Sequence, residues 1–83
     1  MPTVLRIKNL RFFFCSHEHE PPHVHVSIGK SIMYPHAKIH LRSLEVVSTR
    51  GFSRADIQKI ASVASAYQDY LLEAWGDYFA EEE

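Results

Sequence analysis

The spacing of apolar residues changes partway along the chain, and this change limits the fold more than any other feature of the sequence. In the first half, apolar and polar residues alternate, as in the segment His23–Ile28. Successive side chains of a β-strand point to opposite faces, so this alternation predicts strands with one buried face. From Ile57 onwards, apolar residues recur every three or four positions, which is typical of an amphipathic helix. The sequence therefore predicts a sheet followed by helix.

Four or five short strands are predicted within residues 1–50. They are rich in β-branched and aromatic residues, and they comprise residues 4–7, 10–15, 23–28, 37–41 and, as a last strand or an extended edge segment, 44–49. Between the first two strands, Asn9 tolerates a positive φ, which predicts a tight hairpin. Pro21 and Pro22 lack the N–H that a sheet requires and end the following loop. Because the connections are short, we expect an antiparallel meander of hairpins.

Residues 53–79 are predicted to form helix. Ser53 is a favourable N-cap, and Asp56 stands three residues further on, as in a capping box. A continuous helix of about 25 residues would be ~38 Å long at 1.5 Å per residue, which is longer than a globule of this size. We therefore expect either a kink near Gln68 or a projecting end that packs on another chain.

The length of 83 residues suits one domain, residues 1–83, of the α+β class. We expect a small antiparallel sheet of four or five strands packed on a C-terminal amphipathic helix, with residues 80–83 as an acidic tail. The sequence has no apolar run near the ~20 residues of a membrane helix, no signal-peptide pattern and one cysteine, which excludes an internal disulfide. We expect a soluble cytoplasmic protein with no membrane partner.

The net charge of −1 conceals two halves of opposite sign. Residues 1–52 carry seven Lys or Arg and three acids, whereas residues 53–83 carry two Lys or Arg and seven acids. The basic half can bind an anion or a nucleic acid, for which Arg6, Arg11 and Lys38 are the candidates. The asymmetry also fits head-to-tail contact between copies or, most simply, a solvated acidic segment.

Histidines are concentrated on two of the predicted strands. The alternation places His23 and His25 on one face of their strand, and it places His36, Lys38 and His40 on one face of the next. If the two strands pair as neighbours, their apolar residues share the core face, and these polar residues must share the opposite face.

Such a face could hold a metal ion. Neutral imidazoles bind zinc or another divalent metal, and three of them leave one position open for water. The candidate ligands are His23, His25, His36 and His40. His17 and His19 in the preceding loop could supply a further ligand. The alternative is a solvated strand face that is rich in histidine.

The same face also suits catalysis without a metal. Two histidines near a lysine can act as general base and general acid on a phosphodiester, and the lysine can stabilise negative charge. The candidate catalytic residues are His23, His25, Lys38 and His40. This would be chemistry of the ribonuclease type.

The second half of the chain offers more aromatic surface than one small sheet can easily cover. Aromatic side chains are common anchors of contacts between chains. The candidate partner-binding residues are Tyr70, Leu71, Trp75, Tyr78 and Phe79. Because a chain this small is marginal as a monomer, we expect a homodimer through this helix.

Several segments resemble a family of short bacterial proteins catalogued as domain of unknown function 4160. The most specific is Glu20-Pro21-Pro22-His23-Val24-His25-Val26, and the others are residues 1–7, 11–14, 50–53 and 71–75. The segment of residues 31–36 is longer and more apolar than is usual for the family. The resemblance implies a prokaryotic or phage source and a gene that lies beside a second small gene, as in toxin–antitoxin pairs. It implies no particular activity.

Three classes of function are open at this point. The first is a small prokaryotic or phage binding or regulatory protein, one member of a toxin–antitoxin-like pair whose partner is encoded by an adjacent gene. The second is a metal- or histidine-dependent phosphodiesterase or ribonuclease that uses the His-x-His face. The third is a structural or assembly protein. The first is favoured by the small size, the charge asymmetry and the family resemblance.

Overall fold

The computed structural model describes residues 3–15, 20–29 and 34–80, and these form five strands and two helices. The elements are β1 (Thr3–Ile7), β2 (Leu10–Phe13), β3 (His23–Ile28), β4 (His36–His40), β5 (Val46–Arg50), α1 (Arg54–Ala66) and α2 (Gln68–Ala80). The strands make one antiparallel sheet in the order β1-β2-β3-β4-β5. The predicted α+β fold, with its meander of hairpins, is confirmed.

The first hairpin is as tight as predicted, but its strained residue is a different one. Ile7 pairs with Leu10, so the turn consists of Lys8 and Asn9. Lys8, not Asn9, has the positive φ, at 54°. The N–H of Gly29 donates to the carbonyl oxygen of Asn9 at 3.0 Å, which ties this turn to the end of β3.

The hydrophobic core lies between one face of the sheet and the two helices. Phe12, Val24 and Ile39 are fully buried on that face, and Val24 lies directly opposite Ile39 in the β3–β4 register. The helices contribute Ile60 from α1 and Leu71 from α2, both also fully buried. The strand residues that alternate with these core residues therefore point their side chains away from the helices.

The helical segment is divided in two. Ser53 caps α1: its side chain accepts from the N–H of Asp56 at 3.1 Å, and the Asp56 carboxylate accepts from the N–H of Ser53 at 3.4 Å. α1 ends at Ala66, because Tyr67 leaves helical geometry with φ −109° and ψ 18°. Gln68 then begins α2, and its side-chain amide donates to the carbonyl oxygen of Leu41 at 2.7 Å. The break lets both helices pack on the same sheet face.

α2 closes the core at the end of β2. Phe14 is fully buried, and its ring lies 5.5 Å from Trp75, 5.7 Å from Tyr78 and 6.0 Å from Phe79, centroid to centroid.

Neither helix of the described residues is long and apolar enough to cross a membrane.

Candidate functional site

The sheet face turned away from the helices, here called the polar face, carries the histidines and basic residues of the strands. The strand registers show which residues point to this face, because side chains alternate between the two faces along each strand. These are Arg6, Arg11, Phe13, His23, His25, Ser27, His36, Lys38, His40, Ser48 and Arg50. The face therefore carries the candidate metal, catalytic and anion-binding residues that were predicted on the strands.

One row of this face crosses every strand of the sheet. The registers place Arg6 opposite Arg11, Arg11 opposite Ser27, Ser27 opposite His36, and His36 opposite Arg50. We call these five residues the cross-strand row. With neighbouring strands ~4.8 Å apart, the row is ~19 Å long. Arg50 is absent from the sequence-based candidates. The signal that would have found it is the alternation of side chains along a fifth strand, which places Arg50 on the same face as Ser48.

A second row lies beside the first and contains Phe13, His25 and Lys38. The Phe13 and His25 rings stack at 5.5 Å with an angle of 23° between their planes, and the Arg11 guanidinium carbon lies 4.9 Å from the Phe13 ring centre. Phe13 is only 1 % exposed. The Phe13 ring is thus covered, and its contacts with Arg11 and His25 hold those two side chains in position.

The strands carry no acidic residue to neutralise this face. As bounded in the structure, none of the five strands contains Asp or Glu, and four of their residues are Arg or Lys. The acids of the helices, namely Asp56, Asp69, Glu73 and Asp77, belong to the other side of the sheet. Among the described residues, the remaining acids are Glu20 and Glu45, which stand in loops, and the Glu20 carboxylate lies 3.7 Å from the Arg42 guanidinium. An anion that approaches the strands is therefore attracted by their four basic residues.

A hydrogen-bonded histidine pair lies near the centre of the face. His25 Nδ1 and His36 Nε2 are 3.0 Å apart, and the ring centres are 5.1 Å apart. Partial burial lowers the pKa of His36 below its usual 6.5, and the charges of His25, Arg50 and Lys38 lower that pKa further. Since each of these causes disfavours the imidazolium form, His36 is predominantly neutral at pH 7.

The other two predicted histidines lie at the end of the sheet. His23 is 4 % exposed, its Nδ1 lies 2.9 Å from the Pro21 carbonyl oxygen, and its ring centre is 5.2 Å from that of Trp75. His40 pairs with His23 across the strands, and its Nδ1 is buried without a hydrogen bond among the described residues. The burial of His23 keeps its ring away from a ligand on the open part of the face.

The four predicted metal ligands share a face but do not converge. Within residues 3–15, 20–29 and 34–80, no three His, Cys, Asp or Glu side chains are grouped as metal ligands would be. His25 and His36 bond to each other, whereas His23 turns towards Pro21. The predicted contributions of His17 and His19 lie outside the described residues.

The five candidate partner-binding residues are placed differently from one another. Leu71 is fully buried and Trp75 is 6 % exposed, so both belong to the core of the chain itself. Tyr78 and Phe79 are half-buried against that core. Tyr70 is 52 % exposed, and its hydroxyl donates to the carbonyl oxygen of Val4 at 2.9 Å, next to the β1 edge of the sheet. Of these five candidates, Tyr70 alone has a largely exposed side chain.

A family model matches most of the chain, whereas the other two comparisons give no match. Neither the curated proteins nor the solved structures include one that matches this chain. The model for domain of unknown function (DUF4160) matches residues 9–76, which include β2, β3, β4, β5, α1 and most of α2. The chain therefore belongs to the family described as domain of unknown function (DUF4160).

Proposed function

We propose that this chain is a small binding protein whose polar face holds the phosphate backbone of a nucleic acid. The observation that carries the proposal is the cross-strand row, with Arg6, Arg11 and Arg50 in register on strands that contain no acid. Arginine donates several N–H groups to phosphate oxygens at once and stays charged at any physiological pH.

The spread of the charges favours a polymeric anion over a small one. The three arginines of the row stand on β1, β2 and β5, and Lys38 stands on β4. Ser27, in the middle of the row, is fully buried, whereas Arg6 and Arg50 at its two ends are exposed. A row ~19 Å long cannot close around one phosphate, but its exposed cations can contact separate phosphates along a strand. Binding of this kind releases counterions and is strongly salt-dependent.

The face suits the backbone of a nucleic acid better than its bases. Sheets that read single strands usually present exposed aromatic rings on which bases stack. Phe13 is the aromatic residue of the polar face within the described strands, and its 1 % exposure leaves no ring surface for a base. We therefore expect affinity with little sequence preference.

The regulatory role belongs to the same proposal and is supported by the family resemblance. One member of a toxin–antitoxin-like pair would bind a protein from the adjacent gene as well as its nucleic acid. Expression of this chain should then arrest growth, and co-expression of the neighbouring gene should relieve the arrest. The homodimer predicted from the sequence is tested by light scattering, which should give a particle of twice the 9.6 kDa chain mass.

Fluorescence anisotropy with a labelled single-stranded RNA of about 12 nucleotides tests the binding directly. The test variant is Arg6→Gln with Arg50→Gln, since both side chains are exposed. The control is Arg54→Gln with Lys59→Gln, which removes the same charge from the exposed side of α1. We expect the face variant to bind at least ~10-fold more weakly at low salt and the control to bind within ~2-fold of wild type. Equal losses in the two variants would overturn the proposal.

A further inference from the structure

We infer that the His25–His36 pair cleaves RNA at a phosphodiester held on the cross-strand row. The inference rests on the proposed function, since the row must first bring the RNA backbone to the polar face. It adds a substrate class, because the chemistry requires the 2′-hydroxyl that DNA lacks.

The position of the pair carries the inference. His36 belongs to the cross-strand row itself, between Ser27 on β3 and Arg50 on β5. His25 lies in the adjacent row, directly opposite Lys38. A phosphate that bridges Lys38 and Arg50 is therefore next to a bonded pair of imidazoles, with a cation on either side.

The hydrogen bond within the pair prepares His36 to act as a base. In one tautomer, His36 Nε2–H donates to His25 Nδ1, and this leaves His36 Nδ1 with a lone pair. The described residues form no hydrogen bond to that nitrogen, and the ring is half-buried rather than enclosed. The lowered pKa of His36 keeps the ring neutral at pH 7, which is the form that a general base needs.

The reaction is balanced without any further reactant. His36 Nδ1 takes the proton of the 2′-hydroxyl, the 2′-oxygen forms a bond to phosphorus, and the bond from phosphorus to the 5′-oxygen breaks. The proton held by His36 then passes to the leaving 5′-oxygen, so the products are a 2′,3′-cyclic phosphate and a 5′-hydroxyl. Lys38 and Arg50 stabilise the additional negative charge on the phosphoryl oxygens at the transition state.

The test uses an RNA oligonucleotide and a DNA oligonucleotide of the same sequence, each with saturating protein. Wild type, His36→Gln and Arg54→Gln are purified in parallel, and circular dichroism checks their folding. We expect wild type and Arg54→Gln to release RNA fragments that end in a 2′,3′-cyclic phosphate by mass spectrometry, and to leave DNA intact. His36→Gln should cleave at least ~100-fold more slowly, since general base catalysis contributes ~10²–10⁴-fold.

Two further measurements keep the outcome decisive. If His36→Gln does not fold, Lys38→Gln replaces it and should also cleave more slowly at saturation. The cleavage rate of wild type should fall as the pH is lowered and His36 takes up a proton. RNA that is bound but stays intact, or that His36→Gln cleaves at the wild-type rate, would overturn the inference and leave the proposed binding in place. RNA that is not bound at all would overturn both.

Discussion

Removal of Arg50 should change the salt dependence of nucleic-acid binding by a calculable amount. The strands place four basic residues on the polar face, namely Arg6, Arg11, Lys38 and Arg50. For a single strand, each phosphate contact contributes ~0.7 to the slope of log affinity against log salt. If each cation makes one contact, the slope for wild type is about −2.8, and that for Arg50→Gln is about −2.1.

These slopes translate into readily measured affinities. Between about 50 and 200 mM salt, wild type should lose ~50-fold in affinity, and Arg50→Gln should lose ~20-fold. Arg50 is exposed at the edge strand β5, so the substitution should leave the stability of the fold unchanged. Anisotropy titrations at four or more salt concentrations give both slopes. The matched control, Arg54→Gln on α1, should keep the wild-type slope.

The reasoning would be refuted by either of two results. A wild-type slope near zero would mean that phosphate contacts do not drive binding. An unchanged slope in Arg50→Gln, or an equal reduction in Arg54→Gln, would mean that the cross-strand row is not where the phosphates lie.

Four further substitutions concern stability, each measured by urea denaturation. The folded-state pKa of His36 is lowered from 6.5, so this histidine takes up a proton first in the unfolded chain as the pH falls. The fold should therefore lose stability below pH 6.5, and His36→Gln should reduce this loss. Trp75→Ala should destabilise the fold by ~3–5 kcal/mol, because Trp75 packs against Phe14, whereas Tyr70→Phe should cost only ~0.5–1.5 kcal/mol for the hydrogen bond to the backbone. Ser53→Ala should cost ~1 kcal/mol through loss of the capping box. An unchanged unfolding midpoint in Trp75→Ala, Tyr70→Phe or Ser53→Ala would contradict its structural explanation, and so would a wild-type pH dependence of stability in His36→Gln.

The order of the strands could be predicted because their connections are short, and the composition of the two sheet faces could be predicted because the side-chain period of a strand is two. Once Val24 and Ile39 must share a core, His25 and Lys38 must share the other face, and the observed register joins both pairs. The N-terminal cap of α1 could also be predicted from the sequence, since Ser53 and Asp56 have the spacing of a capping box.

Other features depend on interactions that the local sequence does not encode. No Gly or Pro marks the break at Tyr67, where Gln68 bonds to the distant turn after β4. The burial of His23 depends on Trp75, which is more than fifty positions away in the sequence. The pairing of two histidines, in place of convergence of four, depends on side-chain rotamers, which parity does not determine.

An NMR titration of the ¹⁵N-labelled protein with single-stranded RNA tests the central claim most directly, because it locates the bound strand on the fold. The account predicts that the amide signals of Arg11, Ser27, His36 and Arg50 shift together in proportion to the RNA added. The signals of α2, which carries acids and no basic residue, should stay in place. Shifts confined to the helices, or no shifts at all at low salt, would contradict the account.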